Sequence, residues 1–228
     1  MRYDLLVFDW DGTLMDSAAR IVRSMRAAFT ELGLVPPAPD AARNVIGLGL
    51  SHAVTELAPD LDPATHARVI ERYRAHYLEL DDTPTPLFPG AAEVVAGLAA
   101  QGYLLAVATG KSRRGLDQAL AQSGLGAHFH ATRSADETFS KPHPQMLLEL
   151  LDELGVSADR ALMIGDTEYD LLTARNAGVD ALAVCYGAHA PERLLALGPL
   201  ACLAAIDALP GWLAAAPARV AGRPDLDT

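Results

Sequence analysis

The sequence predicts an α/β protein, a doubly wound parallel sheet with an all-helical unit inserted into it. Three observations carry this. From residue 88 onward, short apolar runs of strand length alternate with segments of helical periodicity, the pattern of repeated strand-helix units. The first apolar run, Leu5-Leu6-Val7-Phe8, ends in Asp9-Trp10-Asp11-Gly12-Thr13. Its next strand end lies about a hundred residues on, against roughly 30 for one βαβ unit. The intervening residues 16–84 offer helical spacing and no good strand.

The elements follow in order. The opening run is apolar at every position, as a strand covered on both faces should be, and Gly12-Thr13 stop it. Asp16-Ser17 is a helix start, and Ile21, Met25, Ala28, Phe29 and Leu32 recur at helical spacing over residues 18–32. Gly33 and Pro36-Pro37-Ala38-Pro39 close that helix. Further helices are expected near 40–46, 49–58 and 63–79, then a linker at Asp82-Thr83-Pro84-Thr85-Pro86. A helix over 90–100 precedes a strand over 103–108 that ends in Thr109-Gly110-Lys111. A helix over 112–123, a short strand near 129–132, the Ser140-Lys141-Pro142 turn and a helix over 144–154 come next. The strand at 161–164 ends in Gly165-Asp166 and feeds a helix over 168–177, and 180–184 is another strand. A short strand near 200–203 and a helix near Trp212 complete the order. The expected organisation is an α/β core from 1–15 and 85–216, a helical cap over 16–84, and a frayed tail at 217–228. The cap leaves the sheet beside the acidic pair, so it should lie over that pair as a lid.

Bulk properties narrow the function. At 228 residues and 50% hydrophobic, the chain can bury a sizeable core. A formal charge of -11 and a pI near 4.9 argue against nucleic acid, whose phosphates need a basic face. No apolar run reaches membrane-spanning length, and Met1 leads almost directly into the first strand without a signal-like segment. Cys185 and Cys202 are too few for a disulfide framework and lack metal-site spacing, so a reducing cytoplasm is expected. Lys111 and Lys141 are the chain's two lysines among 18 basic residues. An ammonium is a compact point charge that a guanidinium does not replace, which marks these two positions.

Four predicted strand ends carry chemistry: Asp9 with Asp11, Thr109-Gly110-Lys111, Lys141, and Asp166 with Asp170. Singly, each has a plain alternative: a turn, a helix cap, a solvated lysine, acids at a helix start. A parallel sheet brings all four to one edge, and together they fit phosphoryl transfer. Asp9 would be the carboxylate nucleophile and Asp11 the acid and base. Mg²⁺ would be held by Asp9, Asp166 and the backbone carbonyl of Asp11. Thr109 and the Gly110 N–H would bind phosphoryl oxygens, Lys141 would offset their charge, and Lys111, nearer solvent, would assist. Asp170 would steady the metal's waters or Lys141.

Asp9-Trp10-Asp11-Gly12-Thr13-Leu14, Thr109, Lys141 and Gly165-Asp166-Thr167-Glu168-Tyr169-Asp170 resemble, in order, the four motifs of haloacid dehalogenase superfamily hydrolases with a helical cap. The phosphoglycolate phosphatase-like branch is the most similar. The resemblance implies a Rossmann-like core and a Mg²⁺-dependent phosphatase that hydrolyses a small phosphorylated metabolite through an aspartyl-phosphate. Asp11 argues against the dehalogenase branch, which lacks that acid. The absence of lysine from 16–84 argues against phosphonatases and against β-phosphoglucomutase-like members, whose cap carries a histidine and a lysine; here the first cap helix has Arg20 and Ile21. A mutase or a pyrophosphatase remains the alternative, and a receiver-like phospho-acceptor domain would need about half this length. Within Arg43-Asn44-Val45-Ile46-Gly47-Leu48-Gly49, the expected recognition loop, Arg43 is the candidate partner for a substrate carboxylate. Nothing in the chain sets an oligomeric state.

Overall fold

The computed structural model describes residues 2–215. Six strands, β1 (Leu5–Phe8), β2 (Leu104–Ala108), β3 (Ala131–Arg133), β4 (Ala161–Gly165), β5 (Asp180–Val184) and β6 (Cys202–Leu203), form one sheet in the order β3-β2-β1-β4-β5-β6. Every pairing is parallel. β1 is central, with Leu5 paired to Leu104 on one side and Ala161 on the other. The winding reverses there, and the crevice at the carboxyl end of such a strand is where open α/β sheets bind ligands.

Alternation along β1 divides the core between the two faces of the sheet. Leu6 and Phe8 pack with Val94, Val95 and Leu98 of α5 (Ala91–Ala100) and Leu116 of α6 (Arg113–Ser123). Leu5 and Val7 face the other way, onto Met146, Leu147 and Leu150 of α7 (Gln145–Leu154) and Ala174 of α8 (Glu168–Asn176). Helices α9 (Pro191–Leu195) and α10 (Leu209–Ala215) complete the sheet's cover. The expected tail at 217–228 lies outside the described residues.

Between β1 and β2 the chain is helical: α1 (Ala18–Glu31), α2 (Pro39–Asn44), α3 (Leu50–Leu57) and α4 (Pro63–Ala75). These enclose an apolar cluster of their own, with Met25, Phe29, Ala42, Val54 and Val69 at its centre. Asp62 starts α4, its carboxylate accepting from the Ala64 and Thr65 amides, so a Pro at the next position costs no hydrogen bond. The helix expected over 63–79 is in fact α4 followed by a π-helical turn, His76–Leu80, closed by the Asp81 amide on the His76 carbonyl at 2.9 Å. Hydrophobic spacing does not record such a widening, because one extra residue per turn only rotates the chain beyond it. The two connectors of the insertion run side by side: Asp16 N–H donates to the Pro86 carbonyl at 2.8 Å, and Phe88 N–H to that of Leu14 at 2.9 Å.

At the far edge, the β5–β6 pairing sets Cys185 beside Cys202 with a Cα–Cα distance of 5.9 Å, and a disulfide joins them. Their separation of 17 residues hides this, since the sheet and not the spacing creates the apposition. Among the described residues, no helix is long and apolar enough to cross a membrane.

Candidate active site

The carboxyl end of β1 extends the ladder by one bond, from the Asp9 amide to the Ile164 carbonyl at 2.9 Å, and this fixes Asp9 over the switch point. Its side chain is fully buried. Lys141 reaches in from the turn after β3 and is itself fully buried. Its Nζ donates to Asp9 Oδ1 at 2.8 Å and to Asp170 Oδ1 at 2.5 Å. Asp170 lies in the first turn of α8 and is held from the other side by that helix's N-cap, its Oδ2 accepting from the Thr167 amide and hydroxyl at 3.0 and 2.7 Å. Asp166 ends β4; its Oδ1 accepts from the Thr13 hydroxyl at 2.9 Å and its Oδ2 from the Ala188 amide at 2.6 Å. The backbone wraps this carboxylate closely: a Cβ at Gly187 would stand 2.2 Å from Asp166 Oδ2.

Asp9, Asp166 and Asp170 thus present oxygens within 4.8 Å of one another. Three buried carboxylates face one ammonium, so the pocket carries unneutralised negative charge. Burial drives the Asp9 carboxyl up to about 7, with Asp170 and Asp11 adding to the rise and Lys141 opposing it. Burial pushes Asp166 well above the carboxylate range, helped by Asp9 and Asp170. Burial alone would lower the Lys141 ammonium, yet Asp170 and Asp9 hold it above its ordinary value. Asp9 Oδ2 is buried and has no hydrogen-bond partner. An orphaned carboxylate oxygen in a site short of positive charge fits a hard divalent cation. Asp170 belongs to this cluster more closely than its expected supporting role required.

The second acid stands apart. Asp11 takes two bonds from Lys111 Nζ, at 2.8 and 3.0 Å, and one from the Ser17 hydroxyl at 2.5 Å, so its carboxylate is outside the cation-seeking group. Lys111 is not the solvent-facing residue expected from its place at a helix start. Its side chain is 6% exposed, because the helical insertion closes over it. Burial would lower its ammonium, but Asp11 and Tyr77 hold it above the usual value. Thr109 is fully buried and does not cap α6; that role falls to Ser112, whose hydroxyl accepts from the Gly115 amide at 3.3 Å. The Thr109 hydroxyl is left beside Asp9, Asp11, Gly110 and Lys111 on the wall of a cavity of about 80 Å³ between insertion and sheet. Gly110 is required there: a Cβ would lie 2.5 Å from the Leu48 carbonyl oxygen.

Arg43 is a correction. Its Nε and Nη2 donate to the carbonyls of Ala188 and Gly187 at 3.0 and 2.6 Å, which turns it away from the cavity and makes it a strut between insertion and core. Val45, Ile46, Gly47 and Leu48 of the same loop do line the cavity, as does Arg74 of α4. Sequence reasoning missed Arg74, and also Tyr73 and Tyr77, which line the same cavity. The i,i+4 spacing of the two tyrosines was a legible sign of a shared face, but nothing told which way the face turned.

An acid nucleophile candidate at a central strand end, a second acid, two lysines and a threonine under a helical insertion define a class: hydrolases built on a doubly wound parallel sheet. The haloacid dehalogenase-like hydrolase model matches residues 6–184. The "Probable phosphatase IndB" of Dickeya dadantii is 37% identical over 199 residues, covering 86% of each chain. A "Phosphoglycolate phosphatase" of Mesorhizobium japonicum is 32% identical, covering 97% of this chain and 100% of its own. A crystal structure of a hydrolase from Pseudomonas syringae shares the fold, with a TM-score of 0.84 at 23% identity, covering 94% of this chain and 100% of that one. The chain belongs to the haloacid dehalogenase-like hydrolase family.

Proposed function

We propose that the protein is a Mg²⁺-dependent phosphatase of small phosphorylated metabolites, phosphoglycolate among them, working in the cytoplasm, whose thiol pool decides whether the Cys185–Cys202 bond persists. The observation that carries this is the buried Asp9–Asp166–Asp170 cluster with Asp9 Oδ2 left unpartnered. Asp9 and Asp166, with the Asp11 carbonyl, would hold the ion, which supplies charge neutralisation and orients the phosphoryl group. Asp9 attacks phosphorus as the ester oxygen departs, and Asp11 gives that oxygen its proton. Asp11 then takes a proton from the water that attacks the aspartyl-phosphate and returns Asp9. Thr109 and the Gly110 N–H donate to the transferring oxygens, while Lys141 holds Asp9 in aim and offsets the gathering charge. Residues 16–84 act as the cap, hinged on the paired connectors and excluding water when shut.

The relatives named phosphoglycolate phosphatase favour a short, anionic substrate. Arg74, the arginine lining the cavity, is the partner for a substrate carboxylate, in place of Arg43. Phosphate release from a panel of phosphorylated metabolites, with Mg²⁺ and with EDTA, tests the reading. Turnover should appear only with the ion; full activity in EDTA would sink it. In the same assay Arg74→Ala should reorder the substrates, costing carboxylate-bearing esters about tenfold. Arg43→Ala should lower kcat/KM for all of them by one common factor. If Arg43→Ala alone reorders them, the recognition role belongs to Arg43 after all.

A further inference from the structure

We infer that Tyr77 is a positioning residue for the acid that serves the leaving group, acting through Lys111; this rests on the phosphatase reading above. Lys111 has three N–H donors, and all three are engaged: two on Asp11, at 2.8 and 3.0 Å, and one on the Tyr77 hydroxyl at 2.8 Å. The ammonium also lies 4.6 Å from the Tyr77 ring centroid. The ammonium therefore joins Tyr77 of the helical insertion to Asp11, beside the direct bond from the Ser17 hydroxyl, and the Lys111–Tyr77 contact spans the boundary between insertion and sheet.

The Tyr77 ring is held from two directions. Tyr73, one turn earlier, stacks on it with centroids 5.8 Å apart and planes 17° from parallel. The Arg20 guanidinium of α1 sits 5.2 Å from its centroid. Tyr77 also belongs to the π-helical turn after α4. Such turns are rare, and often occur where a side chain must be aimed off the regular helical face. Without the hydroxyl, a buried ammonium would be left with one unsatisfied donor and with Asp11 as its one side-chain hydrogen-bond partner. Lys111 could then slide over the carboxylate, and Asp11, held otherwise by the Ser17 hydroxyl at 2.5 Å, would lose one of the two anchors that fix it for proton transfer to an ester oxygen.

Tyr77→Phe removes only the hydroxyl and keeps the stack. The test uses two esters that differ in their need for a proton. An alkyl phosphate leaves as a strongly basic alkoxide unless it is protonated, whereas p-nitrophenyl phosphate leaves as a stable phenolate. Tyr77→Phe should lower kcat/KM for the alkyl ester about tenfold and keep kcat/KM for p-nitrophenyl phosphate within about twofold of wild type. That ratio reads the first transfer and not the later hydrolysis of the aspartyl-phosphate, in which Asp11 serves both esters alike. In a Lys111→Met background the same change should add nothing, since the hydroxyl acts through the ammonium. Equal losses of kcat/KM on both esters would mean that Tyr77 only supports the fold, and unchanged kcat/KM on both would mean that it positions nothing. Either result overturns the assignment. Wild-type protein that hydrolyses neither ester with Mg²⁺ present overturns the phosphatase reading itself, a distinguishable failure.

Discussion

Asp9→Asn is expected to remove turnover by at least about 10⁴-fold, the scale seen when a nucleophile is lost. The amide keeps the shape of the carboxylate, yet it can neither attack phosphorus nor offer a divalent ion a charged oxygen, only a neutral carbonyl. The same substitution should have the opposite effect on stability when no ion is bound. The Asp9 carboxyl is raised to about 7 in the folded protein, chiefly by burial. A folded-state value above the unfolded one means that its stabilising contribution is fully present below the unfolded carboxylate range. That contribution is lost as pH rises through about 7. A neutral amide has nothing to lose. In EDTA at pH 8, Asp9→Asn should therefore melt above the wild type, and added Mg²⁺ should raise the wild-type Tm far more than the variant's. A phosphoryl mimic such as beryllium trifluoride should stabilise the wild type alone. Retained turnover in Asp9→Asn, or equal responses to Mg²⁺, would refute the assignment.

Lys141→Arg should cost on the order of a hundredfold in kcat, comparable to losing one preorganised donor. The ammonium occupies a dry space between Asp9 Oδ1 and Asp170 Oδ1 and is fully buried. A guanidinium is larger, planar and aimed differently, so conserving charge does not conserve the site. Lys141→Met separates charge from shape. It leaves three buried carboxylates without their counter-charge, and stability in the absence of a divalent ion should fall by about 3–5 kcal/mol. Urea denaturation of both variants, beside kcat for Lys141→Arg, checks the two halves independently. A mild loss in Lys141→Arg would show that charge alone suffices.

The fold was legible from residue pattern because its strands are short, uniformly apolar and punctuated. Leu5–Phe8, Ala161–Gly165 and Asp180–Val184 lie at or within one residue of their expected places. Asp9, Asp11, Thr109, Lys111, Lys141, Asp166 and Asp170 could be gathered in advance because parallel strands deliver their ends to one edge. What could not be gathered was anything set by the insertion's orientation. Arg43 and Arg74 are both arginines on helical faces, and only docking distinguishes the strut from the cavity wall. The enclosure of Lys111 has the same origin. So does the partner of Asp11: Ser17 stands at a helix N-terminus, where its hydroxyl would ordinarily cap, but it turns back to Asp11 instead.

The placement of the two lysines has a practical consequence for chemistry done on this protein. Both lysine amines are enclosed, and the chain's other basic groups are arginines and histidines, which carry no primary amine. Acylating reagents, aldehyde fixatives and amine-coupled surfaces, which attack free primary amines, should find little to react with on the folded exterior beyond a chain-terminal amine. On the proposed hinge, Lys111 becomes reachable when the insertion lifts, and Lys141 when the sheet edge itself opens. The rates at which the two are acylated, separated by peptide mapping, would then clock lid opening and global unfolding in one experiment, with no label added to the protein.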